Sequence, residues 1–239
     1  MSTEPASRDR PLGGENLEVM SGARNYNGFL RSLVRRYSGG ADTALDYGAG
    51  IGTFSDSLDV PAHFMHCVEP DSRSRTVLRD KGFKAHADIA DLHDQSVPYA
   101  FTLNVLEHID DDAAALAELY RVLTPGGRLF VYVPAFDVLF TSMDRHVGHL
   151  RRYRLPLLES RVRDAGFRIE KSAYADALGF IATLFLKLFD KPEPAPLNPG
   201  LVFFYDRVCF PLSRLLSVPM AKIAGKNAFV VANKPGKPA

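Results

Sequence analysis

The sequence predicts an α/β protein: a mainly parallel sheet with helices on both faces, and an added apolar helical segment before the last strand. Three observations carry this prediction. From residue 43 onward, short β-rich runs alternate with helical periodicity, the order that right-handed βαβ units produce. A glycine-dense turn, with Gly48, Gly50 and Gly52, follows the first run. After Tyr174 the chain turns to apolar helices, and a final β-rich run at 228–232 returns it to the sheet.

At 239 residues the chain has room for one such domain and falls short of two. The domain is placed at 17–239, with 175–226 as its added helical segment. It follows a polar leader, 1–16, that reads as disordered and lacks the apolar run of a signal peptide. The 29 basic residues nearly cancel the 28 acidic ones, so no nucleic-acid partner is expected. Cys67 and Cys209 are far apart and match no disulfide framework or zinc spacing, which favours a cytoplasmic location. The longest apolar stretch, 177–189, is interrupted by Lys187 and falls short of the roughly 20 residues that cross a bilayer.

Taken in order, a first helix is expected at 26–37, where Phe29, Leu30, Leu33 and Val34 recur at helical spacing before Gly39-Gly40. Strands are expected at 43–47, 63–68, 84–86, 99–104 and 128–133, with helices between them. The clearest helix is 112–123, with acidic residues in its first turn, Leu116, Leu119, Val122 and Leu123 on one face, and Pro125-Gly126-Gly127 as its stop. A helix at 156–165 ends at Gly166 and leads into a strand at 167–174. Apolar helices at 176–190 and 201–216 flank a proline-rich connection.

The most informative segment is Ala44-Leu45-Asp46-Tyr47-Gly48-Ala49-Gly50-Ile51-Gly52, an apolar strand running into a glycine turn ahead of an expected helix. Small residues let backbone N–H groups and a helix N-terminus approach a ligand closely. The spacing is G-x-G-x-G, whereas dinucleotide binders usually carry G-x-G-x-x-G. A carboxylate at Asp46 sits poorly beside a pyrophosphate and well beside a cation, such as the ammonium and sulfonium of S-adenosylmethionine. Glu69, at the end of the second strand, is placed to accept bonds from both ribose hydroxyls.

These segments resemble the class I S-adenosylmethionine-dependent methyltransferases over residues 25–174. The likeness rests on the Asp-x-Gly-x-Gly-x-Gly loop at 46–52, Glu69, Asp88-Ile89, Asn104-Val105-Leu106-Glu107-His108-Ile109, and Leu123-Thr124-Pro125-Gly126-Gly127. The resemblance implies a Rossmann-like fold and S-adenosylmethionine as cofactor. It implies cofactor contacts at Asp46, Gly48, Gly50, Gly52, Glu69, Asp88, Ile89, Asn104 and His108. Asn25-Tyr26-Asn27 and the run from Asp144 to Tyr153 look like a bacterial subgroup of generic methyltransferases whose substrates the resemblance does not name.

The run 144–153 lies after the fifth strand, on the ligand side of a doubly wound sheet, and is the expected acceptor site. His149 is the first candidate base and His146 the second, because histidine exchanges protons near neutral pH. Tyr26, Arg145, Arg152 and Tyr153 are the expected substrate-binding residues. The same run also suits a salt-bridged structural loop. No metal centre is expected: Asp144, His146 and His149 match no ligand geometry, and a strand would place His63 and His66 on opposite faces.

Three readings of the apolar third stay open: a cover over an apolar acceptor pocket, a homodimer interface, or a peripheral membrane contact. The expected function is methyl transfer from S-adenosylmethionine to a small, fairly apolar molecule at oxygen or nitrogen. A catalytically silent cofactor-binding protein of regulation or assembly is one alternative. The other, an NAD-dependent oxidoreductase, is opposed by the glycine spacing and by the lack of a Tyr-x-x-x-Lys pair.

Overall fold

A computed structural model describes residues 22–192 and 198–236. The expected leader and the middle of the proline-rich connection lie outside the described residues. The first described helix, α1 (Arg24–Tyr37), buries Leu30, Leu33 and Val34. Its N-cap, Ala23, offers no side-chain acceptor. Instead Asp206, 180 residues away, accepts from the backbone N–H groups of Asn25 (3.0 Å) and Tyr26 (2.8 Å).

The sheet holds β1 (Ala44–Tyr47), β2 (Met65–Val68), β3 (Lys84–His86), β4 (Val97–Leu103), β5 (Leu123–Pro134), β6 (Arg168–Ala175) and β7 (Asn227–Asn233), in the order β3-β2-β1-β4-β5-β7-β6. The first five strands run parallel, and β7 is antiparallel to both β5 and β6. The last strand therefore does not close an edge. It inserts between its neighbours, with Val230 opposite both Val131 and Ser172.

Alternation along β5 separates the two cores, as the strand period requires. Leu129, Val131 and Val133 pack with Leu116 and Leu119 of α3 (Asp112–Val122), which follows α2 (Ser72–Asp80) in the chain, and with Leu158 and Val162 of α5 (Leu155–Asp164). Phe130 and Tyr132 face the other way, into a core shared with Leu30, Leu33 and Val34 of α1.

Four expectations need correction. No α-helix follows the glycine loop: a short 3-10 turn, Ser55–Ser57, precedes another at Ala62–Phe64, and β2 begins only at Met65. The adjoining surface is covered by α1, whose Arg31 reaches Thr53 O and whose Arg35 Nε reaches Ser57 O (3.1 Å). His63 consequently lies outside the strand, and His66 stacks on His86 of β3 with ring nitrogens 3.1 Å apart. Residues 142–147, for which no element was expected, form helix α4 (Ser142–Val147), closed by Gly148 in the left-handed conformation. Finally, β5 starts at Leu123, so Pro125-Gly126-Gly127 lie within the strand.

The added segment is a helical hairpin: α6 (Ala177–Lys187), α7 (Pro199–Phe204), a π-helical turn at Tyr205–Cys209, and α8 (Phe210–Met220). Asp176 ties its base together, accepting from Gly179 N (3.0 Å), Tyr205 Oη (2.5 Å) and Ser213 Oγ (2.7 Å). Within α6 only Ala177 and Gly179 are buried, while Phe185, Leu188, Phe189, Phe203, Leu215 and Val218 are exposed. The hairpin buries Phe210, Ser213 and Asp206 against the domain and leaves much of its apolar surface exposed. No described helix is long and apolar enough to cross a membrane.

Asp206→Ala would leave two amide donors of α1 without their partner. It is expected to lower stability by about 2 kcal/mol, read as a lower urea midpoint at unchanged m-value. A midpoint equal to the parent's would show that the hairpin does not hold α1.

Candidate active site

Connections leave β1 and β4 toward opposite sides of the sheet, and the crevice at their carboxyl ends is where doubly wound sheets take ligands. Into it run the glycine loop after β1, Glu69 after β2, Asp88 after β3, and Asn104 to His108 after β4. Gly48 and Ala49 donate to Val68 O (2.9 and 3.1 Å), which folds the loop back over β2. Gly48 has φ +81°, and a Cβ there would stand 2.3 Å from Val105 Cγ2, so a side chain is excluded by backbone and by space. Gly50, in contrast, has open space where its Cβ would be.

Glu69 bridges the loop to its own turn, accepting from Gly50 N (2.8 Å) on one oxygen and from Asp71 N (2.9 Å) on the other. Each oxygen keeps a further lone pair for a ligand hydroxyl. Asp46 is 4% exposed and accepts from Ser55 Oγ (2.7 Å). Burial pushes its pKa up to about 7, the Ser55 bond opposes this, and the charge of Glu69 adds to it. Two acidic side chains, one at the end of β1 and one after β2, flank the glycine loop and make the crevice attractive to a cation.

The other expected cofactor contacts differ among themselves. Asp88 caps the 3-10 turn Ile89–Asp91 by accepting from Ala90 N (2.9 Å), and its side chain is exposed at the crevice rim. Ile89 is 5% exposed and its side chain packs in the core, where apolar burial has taken it. Asn104 adopts φ +55° and donates from its N–H to Tyr132 O (2.8 Å), leaving its side chain exposed at the turn.

A second cluster lies beside this crevice, where the turn Leu106–His108 meets the segment after α4. His149 Nδ1 is 2.7 Å from Asp144 Oδ1, and His149 Nε2 is 3.8 Å from Glu107 Oε1. His108 Nδ1 is 3.3 Å from Gly148 O, and the two imidazoles meet edge to face at 4.6 Å. Asp144 also takes Arg152 Nε and Nη2, both at 2.9 Å, and Thr141 N at 2.8 Å. Burial alone would raise the Asp144 pKa, but the bonds from His149 and Arg152 outweigh it and hold the carboxyl well below its ordinary value. Glu107 is fully buried, and neither carboxylate oxygen has a hydrogen-bond partner among the described residues. Burial pushes its pKa up to about 8.

Several expected acceptor residues have other work. Arg152 is buried and spends its guanidinium on Asp144 and Ala135 O. Tyr153 is fully buried, with its hydroxyl on Asp112 Oδ2 (2.8 Å) and Leu106 O (3.2 Å). Both are buried and hold the segment in place, in contrast to the exposed substrate contacts expected of them. Residues two apart on a helix diverge by about 200°, so His146, exposed on α4, turns away from buried Asp144 and does not join His149. Arg145 is exposed on the same short helix. Tyr26 packs edge-on against Phe210 (5.3 Å), its hydroxyl near Tyr132 Oη (3.5 Å) and Asn227 Nδ2 (3.4 Å). Glu107 was not singled out in the sequence; its one signal was an acidic residue adjoining His108 in the turn after the fourth strand.

The fold and the glycine loop define a doubly wound protein with an acid-lined crevice at the carboxyl ends of its parallel strands. Residues 45–131 match the methyltransferase domain family. That match takes in the glycine loop, Glu69, Asp88 and the turn after β4, and spans less than half of the chain. A 37.1 kDa uncharacterized protein in transposon TN4556 of Streptomyces fradiae is 32% identical over 136 residues, which span 52% of this chain and 39% of that protein. An S-adenosylmethionine-dependent methyltransferase of Thermotoga maritima, described as a possible histamine N-methyltransferase, superposes with TM-score 0.63 at 19% identity, covering 92% of this chain and 94% of its own. Phosphoethanolamine N-methyltransferase 2 of Haemonchus contortus, bound to S-adenosyl-L-methionine, gives 0.58 at 18% identity over 95% and 59%. These two likenesses carry the fold.

Gly48→Ala is expected to weaken S-adenosylmethionine binding at least tenfold by calorimetry, and adding Val105→Ala should recover part of the loss. Absence of any recovery would assign the effect to backbone strain and not to the Val105 contact.

Proposed function

We propose that the protein transfers a methyl group from S-adenosylmethionine to a small acceptor at oxygen or nitrogen and releases S-adenosylhomocysteine. The observation that carries this reading is Asp46, a buried carboxylate beside the glycine loop of a segment that matches a methyltransferase domain. A ligand ammonium or sulfonium lowers the cost of its charge. In this reading Glu69 takes the ribose hydroxyls, and Asp88, Asn104 and His108 border the base and the reacting end. Transfer from a sulfonium is an in-line displacement, so holding acceptor and methyl carbon in line supplies much of the rate.

The acceptor side is assigned to the Glu107–His149 cluster. It is mechanically joined to the apolar hairpin, because Asp190 accepts from Ser142 N (2.8 Å) and Lys187 Nζ donates to Val138 O (2.8 Å). An acceptor with an apolar portion, or a membrane that holds one, suits the exposed face of α6 to α8, which also carries Lys187, Arg207 and Arg214. A second reading of the cluster makes His149 a general base. The 2.7 Å contact of its Nδ1 with Asp144 favours this by leaving Nε2 as the proton acceptor.

Titration with S-adenosylmethionine and S-adenosylhomocysteine, with NAD as control, tests the cofactor assignment. Micromolar binding of the first two alone is expected, and binding of neither would overturn it. Asp46 adds a linked expectation. Its folded pKa lies above the ordinary 3.8, so the native state holds its proton more tightly, and stability is lost as pH rises from about 4 to about 7. Asp46→Asn should remove this loss, up to about 4 kcal/mol for a shift of some three units. The ligand-free variant should then melt above the parent at pH 8 while binding S-adenosylmethionine more weakly. A variant that melts lower at pH 8 and binds equally well would contradict both roles.

A further inference from the structure

The Glu107 cluster has features that neither packing nor a free base explains. One ligand atom each from Glu107, His108 and His149 lies within 4.8 Å of the others. Each imidazole is held from its Nδ1 side, His149 by Asp144 Oδ1 at 2.7 Å and His108 by Gly148 O at 3.3 Å. A carboxylate or carbonyl at Nδ1 keeps the proton there and leaves the Nε2 lone pair free, which is how metal-ligating histidines are prepared. The 3.8 Å from His149 Nε2 to Glu107 Oε1 is too long for a hydrogen bond. It is close to the separation of two ligands about one tetrahedral ion, ~3.4 Å for bonds of ~2.1 Å.

The second, independent observation is the carboxylate itself. Glu107 is 0% exposed, and both oxygens lack a hydrogen-bond partner among the described residues. A buried, unpaired carboxylate costs several kcal/mol unless a cation or proton accompanies it. Arg152, the cation whose charge acts on Glu107, spends its donors on Asp144 and Ala135 O. His108 is exposed, so the cluster has a path from solvent.

We propose that Glu107, His108 and His149 hold one divalent cation of the zinc class, with Asp144 and the Gly148 carbonyl orienting the two imidazoles. Two imidazole nitrogens and one carboxylate suit Zn2+ and leave a fourth position open, whereas Mg2+ favours oxygen ligands. This revises the expectation of no metal centre: the ligands come from the turn after β4 joined to His149, and not from the run 144–149 alone. The open position would take an acceptor oxygen and lower its pKa. That role rests on the methyl-transfer reading; cation binding does not. The cation and the free base are exclusive, because both use His149 Nε2.

The test is calorimetric titration of the full chain, dialysed against EDTA, with ZnCl2 and with MgCl2 as control, followed by Co2+ loading and a visible absorption spectrum. One Zn2+ per chain is expected, with a Co2+ band of low-coordinate type and little Mg2+ binding. His108→Ala, at an exposed position that keeps the fold safe, should weaken Zn2+ at least tenfold, as should Glu107→Gln. Absence of Zn2+ binding, or binding unchanged in His108→Ala, overturns the site and returns His149 to the free-base reading. S-adenosylmethionine affinity measured on the same samples separates the two proposals: its loss with Zn2+ binding intact strikes only the methyl-transfer reading.

Discussion

The placement of β1 is the constraint on which the rest of the molecule depends. It lies between β2 and β4 and parallel to both, with Asp46 in register with Cys67 on one side and Phe101 on the other. Chain connections must diverge at that point, and the gap left above the carboxyl ends is lined by whatever residues end the strands. Asp46, Glu69, Asp88 and the turn at Asn104 to His108 meet for this reason, although more than 60 positions separate the first from the last.

Buried carboxylates organise what the sheet leaves open. Among the described residues Asp46, Glu107, Asp112, Asp144, Asp176 and Asp206 are nearly or wholly buried. Four of them are satisfied and act as joints: Asp206 caps α1 from the hairpin, Asp176 closes the hairpin base, Asp112 receives Tyr153, and Asp144 gathers His149, Arg152 and Thr141. The other two are incompletely paired, Asp46 with one hydroxyl and Glu107 with no hydrogen bond and only the 3.8 Å approach of His149 Nε2. Unmet electrostatic demand is costly inside a protein, and it falls where the cofactor and acceptor sites are proposed.

The proposed cofactor side was legible because it is local. A strand, a glycine turn and a strand-end acid are read from adjacent residues, and Gly48 was identifiable by type before its clash with Val105 was visible. The acceptor side was less so. Asp144, His149, Arg152 and Tyr153 stand within ten positions, yet a run of polar residues does not state which side chains turn inward. The short helix at Ser142–Val147 buries Asp144, which recruits Arg152 and His149 and leaves His146 outside. The short first crossover escaped notice for a related reason. No pattern in residues 53–64 marks the lack of a helix, because the covering surface comes from α1, earlier in the chain.

The sequence by itself determined the α/β alternation, the glycine loop and its acid, and the apolar character of the last third, since periodicity, glycine chemistry and hydropathy act over a few residues. Only the tertiary structure decided that β7 enters between β5 and β6, that Asp206 caps a helix 180 residues away, and that Glu107 lies unpaired beside two oriented histidines. Those outcomes are set by which polar groups lose water when distant elements pack. Burial of that kind belongs to the assembled molecule and not to any one segment.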